Sequence, residues 1–157
     1  MTTNPTSPSA DLPSRALGYA GLLPFAAAAV LALLGPSAWR GFASQALAAY
    51  GAVILSFLGA VHWGLALRAA GDEAPAAWPR LGLGVAPALV AWVALLLPRG
   101  AGLALLAVSV VAVAAVETAA ARRGLVPRSY LGLRWPLSLG AGACLALGAL
   151  AAGGAPG

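Results

Sequence analysis

Long apolar runs separated by short polar breaks set the pattern of this chain. The runs cover residues 16–34, 44–67, 81–97, 101–121 and 135–152. The breaks hold Gly35-Pro36 to Phe42, Arg68 to Arg80, Pro98-Arg99-Gly100, and Arg122 to Arg134. Each run is long enough to cross about 30 Å of hydrocarbon as a helix. A backbone in lipid must satisfy its own hydrogen bonds, so each run is expected to be helical. The pattern predicts an all-α, polytopic integral membrane helix bundle of about five transmembrane helices. Residues 16–152 form that domain, with a disordered cytoplasmic tail at 1–15 and a short tail at 153–157. The first run is longer than the core of a signal peptide, follows an uncharged-to-acidic tail and leads directly into more membrane segments, so it is read as an uncleaved helix. The tight Pro98-Arg99-Gly100 turn makes the third and fourth helices a hairpin.

Within the second run, Ala49 to Arg68 carries the single histidine, His62. At about 100° per residue, Gly51, Leu55, Leu58, Gly59 and Ala66 share the side of His62. Val53, Phe57 and Ala60 lie opposite. The histidine side is small enough for a neighbouring helix to approach, and the bulkier side suits lipid. Gly51, Gly59 and Gly64 are candidate packing positions, the last in a small-residue ladder with Ala52, Ser56 and Ala60. Trp63 stands near the helix end, where its indole N–H can reach headgroups.

Composition sharpens this picture. The chain is 61% hydrophobic and only 8% charged, against about a quarter in soluble domains, so it cannot clothe a water-soluble globule. Its net charge of +5 rests on arginine alone, with no lysine. The arginines stand at the ends of apolar runs, which fits topology and anionic headgroups better than nucleic acid. Seven of the nine (Arg15, Arg68, Arg80, Arg122, Arg123, Arg128 and Arg134) fall on one side of a five-helix thread, and Arg40 and Arg99 on the other. The positive-inside rule then places the N-terminus in the cytoplasm and the C-terminus in the periplasm of a bacterial inner membrane. Arg122, Arg123, Arg128 and Arg134 serve as topology or headgroup contacts in this reading. One cysteine, Cys144, excludes an internal disulfide. One histidine and one carboxylate at depth are too few for a metal site, and no cofactor motif stands out.

Candidate chemistry gathers near one membrane face. Glu117 is the one acidic residue inside an apolar run. It and His62 each lie roughly 8–9 Å inside the arginine-rich boundary at 1.5 Å per residue. Pro24 and Pro87, on the helices running the other way, free carbonyls at Ala20 and Leu83 at a similar level. His62, Glu117, Trp63, Ser56, Pro24 and Pro87 therefore form the candidate polar intramembrane site. Such a layer can hold a headgroup, a quinone-like ring or protons. Equally, Glu117 can reach Arg122 or Arg123, or bond His62 as a lock between helices.

Leu17-Gly-Tyr-Ala-Gly-Leu-Leu-Pro-Phe25 and Tyr50-Gly-Ala-Val-Ile-Leu-Ser-Phe-Leu-Gly-Ala-Val-His-Trp-Gly64 resemble the transmembrane protein 69-like family. That family comprises small bacterial membrane proteins and a mitochondrial homologue, without an assigned function. The resemblance implies a polytopic membrane protein and supplies no catalytic residue. The expected function is non-catalytic: an accessory or assembly subunit of a larger membrane complex, or a protein binding membrane lipid or a hydrophobic cofactor. The alternatives are a proton-coupled small-solute transporter using His62 and Glu117, and an intramembrane enzyme acting on a lipid-soluble substrate.

Overall fold

The computed structural model describes residues 8–67, 77–122 and 128–153. Its helices are α1 (Pro8–Ala20), α2 (Leu22–Leu34), α3 (Ser37–Leu67), α4 (Ala77–Leu96), α5 (Arg99–Arg122) and α6 (Arg128–Gly153). No strand occurs among the described residues. Arg15–Leu34, Ser37–Gly64, Arg99–Arg122 and Gly132–Gly153 are long and apolar enough to cross a bilayer. Within α4 the apolar stretch is the shorter Gly84–Leu96. The fold is thus an all-α membrane bundle of five rods, the first being α1 and α2 joined at Gly21.

Several boundaries differ from the sequence reading. Residues 8–15 are helical as part of α1, where a disordered tail is predicted; Pro8 opens the helix, where a missing N–H costs nothing. Residues 1–7 of that tail, the loop at 68–76, Arg123 and the tail residues 154–157 lie outside the described residues. α3 begins at Ser37 rather than 44, because nothing after Pro36 interrupts the helical backbone on its way into the hydrocarbon. There Arg40 Nε donates to Gly35 O at 2.8 Å, capping the carbonyl end of α2. α6 begins at Arg128 rather than 135, so Pro136 lies inside the helix instead of opening it. Its ring forgoes one bond to the Gly132 carbonyl, and the helix continues through it.

The first rod is interrupted at Gly21 for a related reason. The Pro24 ring crowds the carbonyl four residues back, and the break falls one turn before it. Tyr50 of α3 closes the gap by donating from Oη to Gly21 O at 3.0 Å. Its ring meets Phe25 edge-on, 4.8 Å between centroids. Tyr50→Phe keeps that ring contact and loses the hydroxyl. It is expected to lower stability by about 1 kcal/mol, checked by thermal unfolding in detergent.

The rods close into a ring in chain order: α2 packs on α3, α3 on α4, α4 on α5, α5 on α6, and α6 back on α2. α3 also reaches across to α5. Five rods joined up and down make two of the contacting pairs parallel, α3 with α5 and α2 with α6. Gly18 accordingly faces Leu133 and Leu137, and Gly140 faces Leu22. At the opposite end Arg99 donates to Gln45. The α5–α6 seam is fastened by Trp135 Nε1, which donates to Thr118 Oγ1 at 3.0 Å.

The core uses small residues with a few large ones. Phe25, Leu47, Leu55, Leu103, Leu106, Val110 and Leu145 fill it, among alanines from every rod. The outer surface carries the bulk: Leu23, Val30, Val53, Phe57, Leu89, Trp92, Val108 and Leu150 are exposed. Lipid tails are as apolar as leucine, so helix association here depends on close packing rather than on hiding oil from water.

Candidate functional site

A single inward stripe on α5 carries the central residue. Gly102, Leu103, Leu106, Ala107, Val110, Ala114, Glu117 and Ala121 are its buried residues, at three- and four-residue spacing. Glu117 is the one charged member and is fully buried. Three rods meet at its carboxylate. Arg134 of α6 donates from Nε to Glu117 Oε2 at 2.5 Å. His62 of α3 places Nε2 at 3.5 Å from Oε1, an ion-pair distance when the ring is protonated. His62 is 3% exposed and Arg134 6%.

A buried guanidinium–carboxylate pair is costly to desolvate and strong once formed. Here it is incompletely satisfied. Glu117 Oε1, Arg134 Nη2 and Ser138 Oγ are buried without a hydrogen-bond partner among the described residues. Ser138 contrasts with three other membrane hydroxyls. Ser56 bonds back to Ala52 O, Ser109 to Leu105 O and Thr118 to Ala114 O. Ser138 makes no such bond, although the Arg134 carbonyl stands four residues behind it.

Two cavities flank this cluster. The larger, about 490 Å³, lies under the α1–α2 joint between α3 and α6, with Val110 of α5 in its lining. Arg134 and Ser138 supply its polar wall, and Phe25, Ile54 and Leu58 part of its apolar lining. Leu17 and Phe57 at its rim are 74% and 64% exposed, so it opens sideways towards the acyl chains. The smaller, about 190 Å³, lies between α4 and α5 and is lined by His62, Pro87 and Ser109 with apolar neighbours. Glu117 stands between the two, its partners facing one cavity each. No group of three metal-ligating side chains occurs among the described residues.

The structure distributes the sequence candidates unevenly. His62 and Glu117 come together, and Pro87 joins His62 in one cavity lining. Pro24 is exposed on the outer face of α2. Ser56 spends its hydroxyl on its own helix. Trp63 lies against Gly84 of α4 and is 44% exposed. Gly51 meets Leu145 and Leu106, and Gly59 meets the Gly84 backbone, whereas Gly64 faces open space. Arg122 is exposed and leaves Glu117 to Arg134; of Arg128 the backbone alone is described.

Arg134 departs most from expectation. It is a buried partner of Glu117, not a headgroup contact at the surface, because α6 starts earlier and carries it into the bundle. Ser138 was not among the candidates. Its four-residue spacing from Arg134 places both on one helix face, a signal present in the sequence once Pro136 is allowed inside a helix.

Residues 10–150 match the family described as Protein of unknown function (DUF3429). The chain is also similar to Transmembrane protein 69 of Xenopus tropicalis, 44% identical over 89 residues. That alignment covers 55% of this chain and 34% of the relative, so the chain spans about a third of the relative's length. No solved structure matches. A multi-pass helical bundle and a family match over most of its length together make this chain a member of the DUF3429, transmembrane protein 69-like family.

Proposed function

We propose that this is a non-catalytic membrane protein that holds an amphiphile in the larger cavity, its polar end on Arg134 and Ser138 and its apolar tail leaving past Leu17 and Phe57. The observation behind this reading is that Arg134 and Ser138, which line an otherwise apolar chamber, each carry a buried polar atom without a partner among the described residues. A buried donor left unpaired costs about 1–3 kcal/mol, and a ligand acceptor relieves that cost. The chamber is also of the size that small-molecule sites use, about 300–1,000 Å³. The arginine-rich end, where Arg15 and Arg122 gather, faces the cytoplasm of a bacterial inner membrane under the positive-inside rule. Proton-coupled transport fits less well. Oε2 of Glu117 is committed to Arg134, and freeing the carboxylate would strand the guanidinium.

Ser138→Val tests the reading through two opposite signs. The substitution replaces an unpartnered hydroxyl with two methyl groups beside a chamber with room for them, so the delipidated protein is expected to unfold at the same temperature or higher. Lipid retained through detergent purification, measured by mass spectrometry, is expected to fall several-fold. Unchanged retention would show that the chamber is a packing void.

A further inference from the structure

We infer that the chamber selects an uncharged lipid through a carbonyl oxygen, in preference to an anionic phospholipid; this rests on the amphiphile reading above. Charge within the cluster decides the class. Arg134 is the cation on the chamber wall, and Glu117 already balances it at 2.5 Å. His62 lines the other cavity, so this chamber's wall holds no second cation among the described residues. A phosphate or carboxylate headgroup would bring a full negative charge next to Glu117 in a water-poor interior, with no spare cation to receive it.

A carbonyl avoids that penalty. It accepts a hydrogen bond and brings no net charge. Both polar residues of the wall can donate: Arg134 Nη2 is an N–H group that only donates, and the Ser138 hydroxyl, one turn further along α6, donates as well as accepts. Two donors on successive turns suit a head with two acceptors. The ring carbonyls of a prenyl quinone and the ester carbonyls of a diacylglycerol share this chemistry. The remaining lining, from Phe25 to Leu58, is apolar and suits a ring or a glyceryl backbone with its first methylenes.

The experiment uses the full chain, purified in a maltoside detergent and stripped of lipid. Four probes are titrated separately while the unfolding temperature and tryptophan emission are followed. They are a short-chain prenyl benzoquinone, dioctanoylglycerol, short-chain phosphatidylglycerol and short-chain phosphatidic acid. At least one carbonyl probe is expected to bind ten times or more tightly than both anionic lipids. Ser138→Val is expected to weaken that binding at least threefold, and the tighter carbonyl probe identifies the source. If an anionic lipid binds as tightly as the carbonyl probes and is sensitive to Ser138→Val, the carbonyl assignment is overturned while the amphiphile site stands. If no probe responds to Ser138→Val, both fall. Leu150→Ala, on the exposed surface away from the chamber, controls for general effects and is expected to bind every probe as the wild type does.

Discussion

Arg134→Leu is expected to be among the most damaging single substitutions in this chain, costing about 3–5 kcal/mol of stability. The loss comes from what stays behind. Glu117 is fully buried on α5, and without the guanidinium its Oε2 has no donor. Removing one member of a buried pair strands the other, whereas removing both need not. Glu117→Leu with Arg134→Leu is therefore expected to recover most of the loss, through leucines that fill similar volume. Arg134→Lys should recover only part, since an ammonium lacks the planar guanidinium fork whose Nε reaches Glu117. His62→Leu should cost less than Arg134→Leu. Its ring approaches the carboxylate at 3.5 Å and supplies no hydrogen bond that Glu117 depends on. The measurement is a double-mutant cycle on unfolding in mixed micelles. Additive losses for Glu117 and Arg134 would mean that the pair is not the lock between α5 and α6.

That cycle also marks where sequence reasoning stopped. The inward face of α3 was legible: Gly51, Leu55, Leu58 and Gly59 on the side of His62 are buried, and Val53, Phe57 and Ala60 on the other side are exposed. The common level of His62 and Glu117 followed from counting residues between each of them and the arginines at the boundary. Arg134 could not be placed in the same way. Its neighbour Pro136 looks like a helix start, and a helix beginning there leaves Arg134 in a loop. In the structure α6 starts at Arg128 and runs through the proline, at the expense of one backbone bond. The stripe on α5 was hidden for a different reason. That helix is apolar all round, so no polar face betrays which side turns inward. Glu117 was the single clue, and it could not name its partner. Both cavities depend on helix separation, which no residue pattern encodes directly.

Gly59→Leu is the second substitution expected to have a large effect, about 3 kcal/mol or more, and it works through backbone contact. α3 and α4 cross where Gly59 faces the carbonyl of Gly84, and a Cβ at 59 would collide with that carbonyl. A carbonyl in a helix cannot swing aside as a side-chain tip can, so the helices must separate. Separation removes dispersion contacts along the whole seam, in a medium where packing is the main attraction between helices. It also lifts Trp63 from Gly84 and pulls Pro87 away from His62, so the smaller cavity should open with it. Gly64→Leu supplies the contrast. Five residues further on, it lies about 140° around the helix from Gly59, and a Cβ there meets nothing within 4 Å. Its expected effect is within about 0.5 kcal/mol. Unfolding in detergent, together with a red shift of tryptophan emission in Gly59→Leu alone, checks the pair. Equal effects at 59 and 64 would mean that the two glycines act through helix propensity, and that α3 and α4 do not meet backbone to backbone.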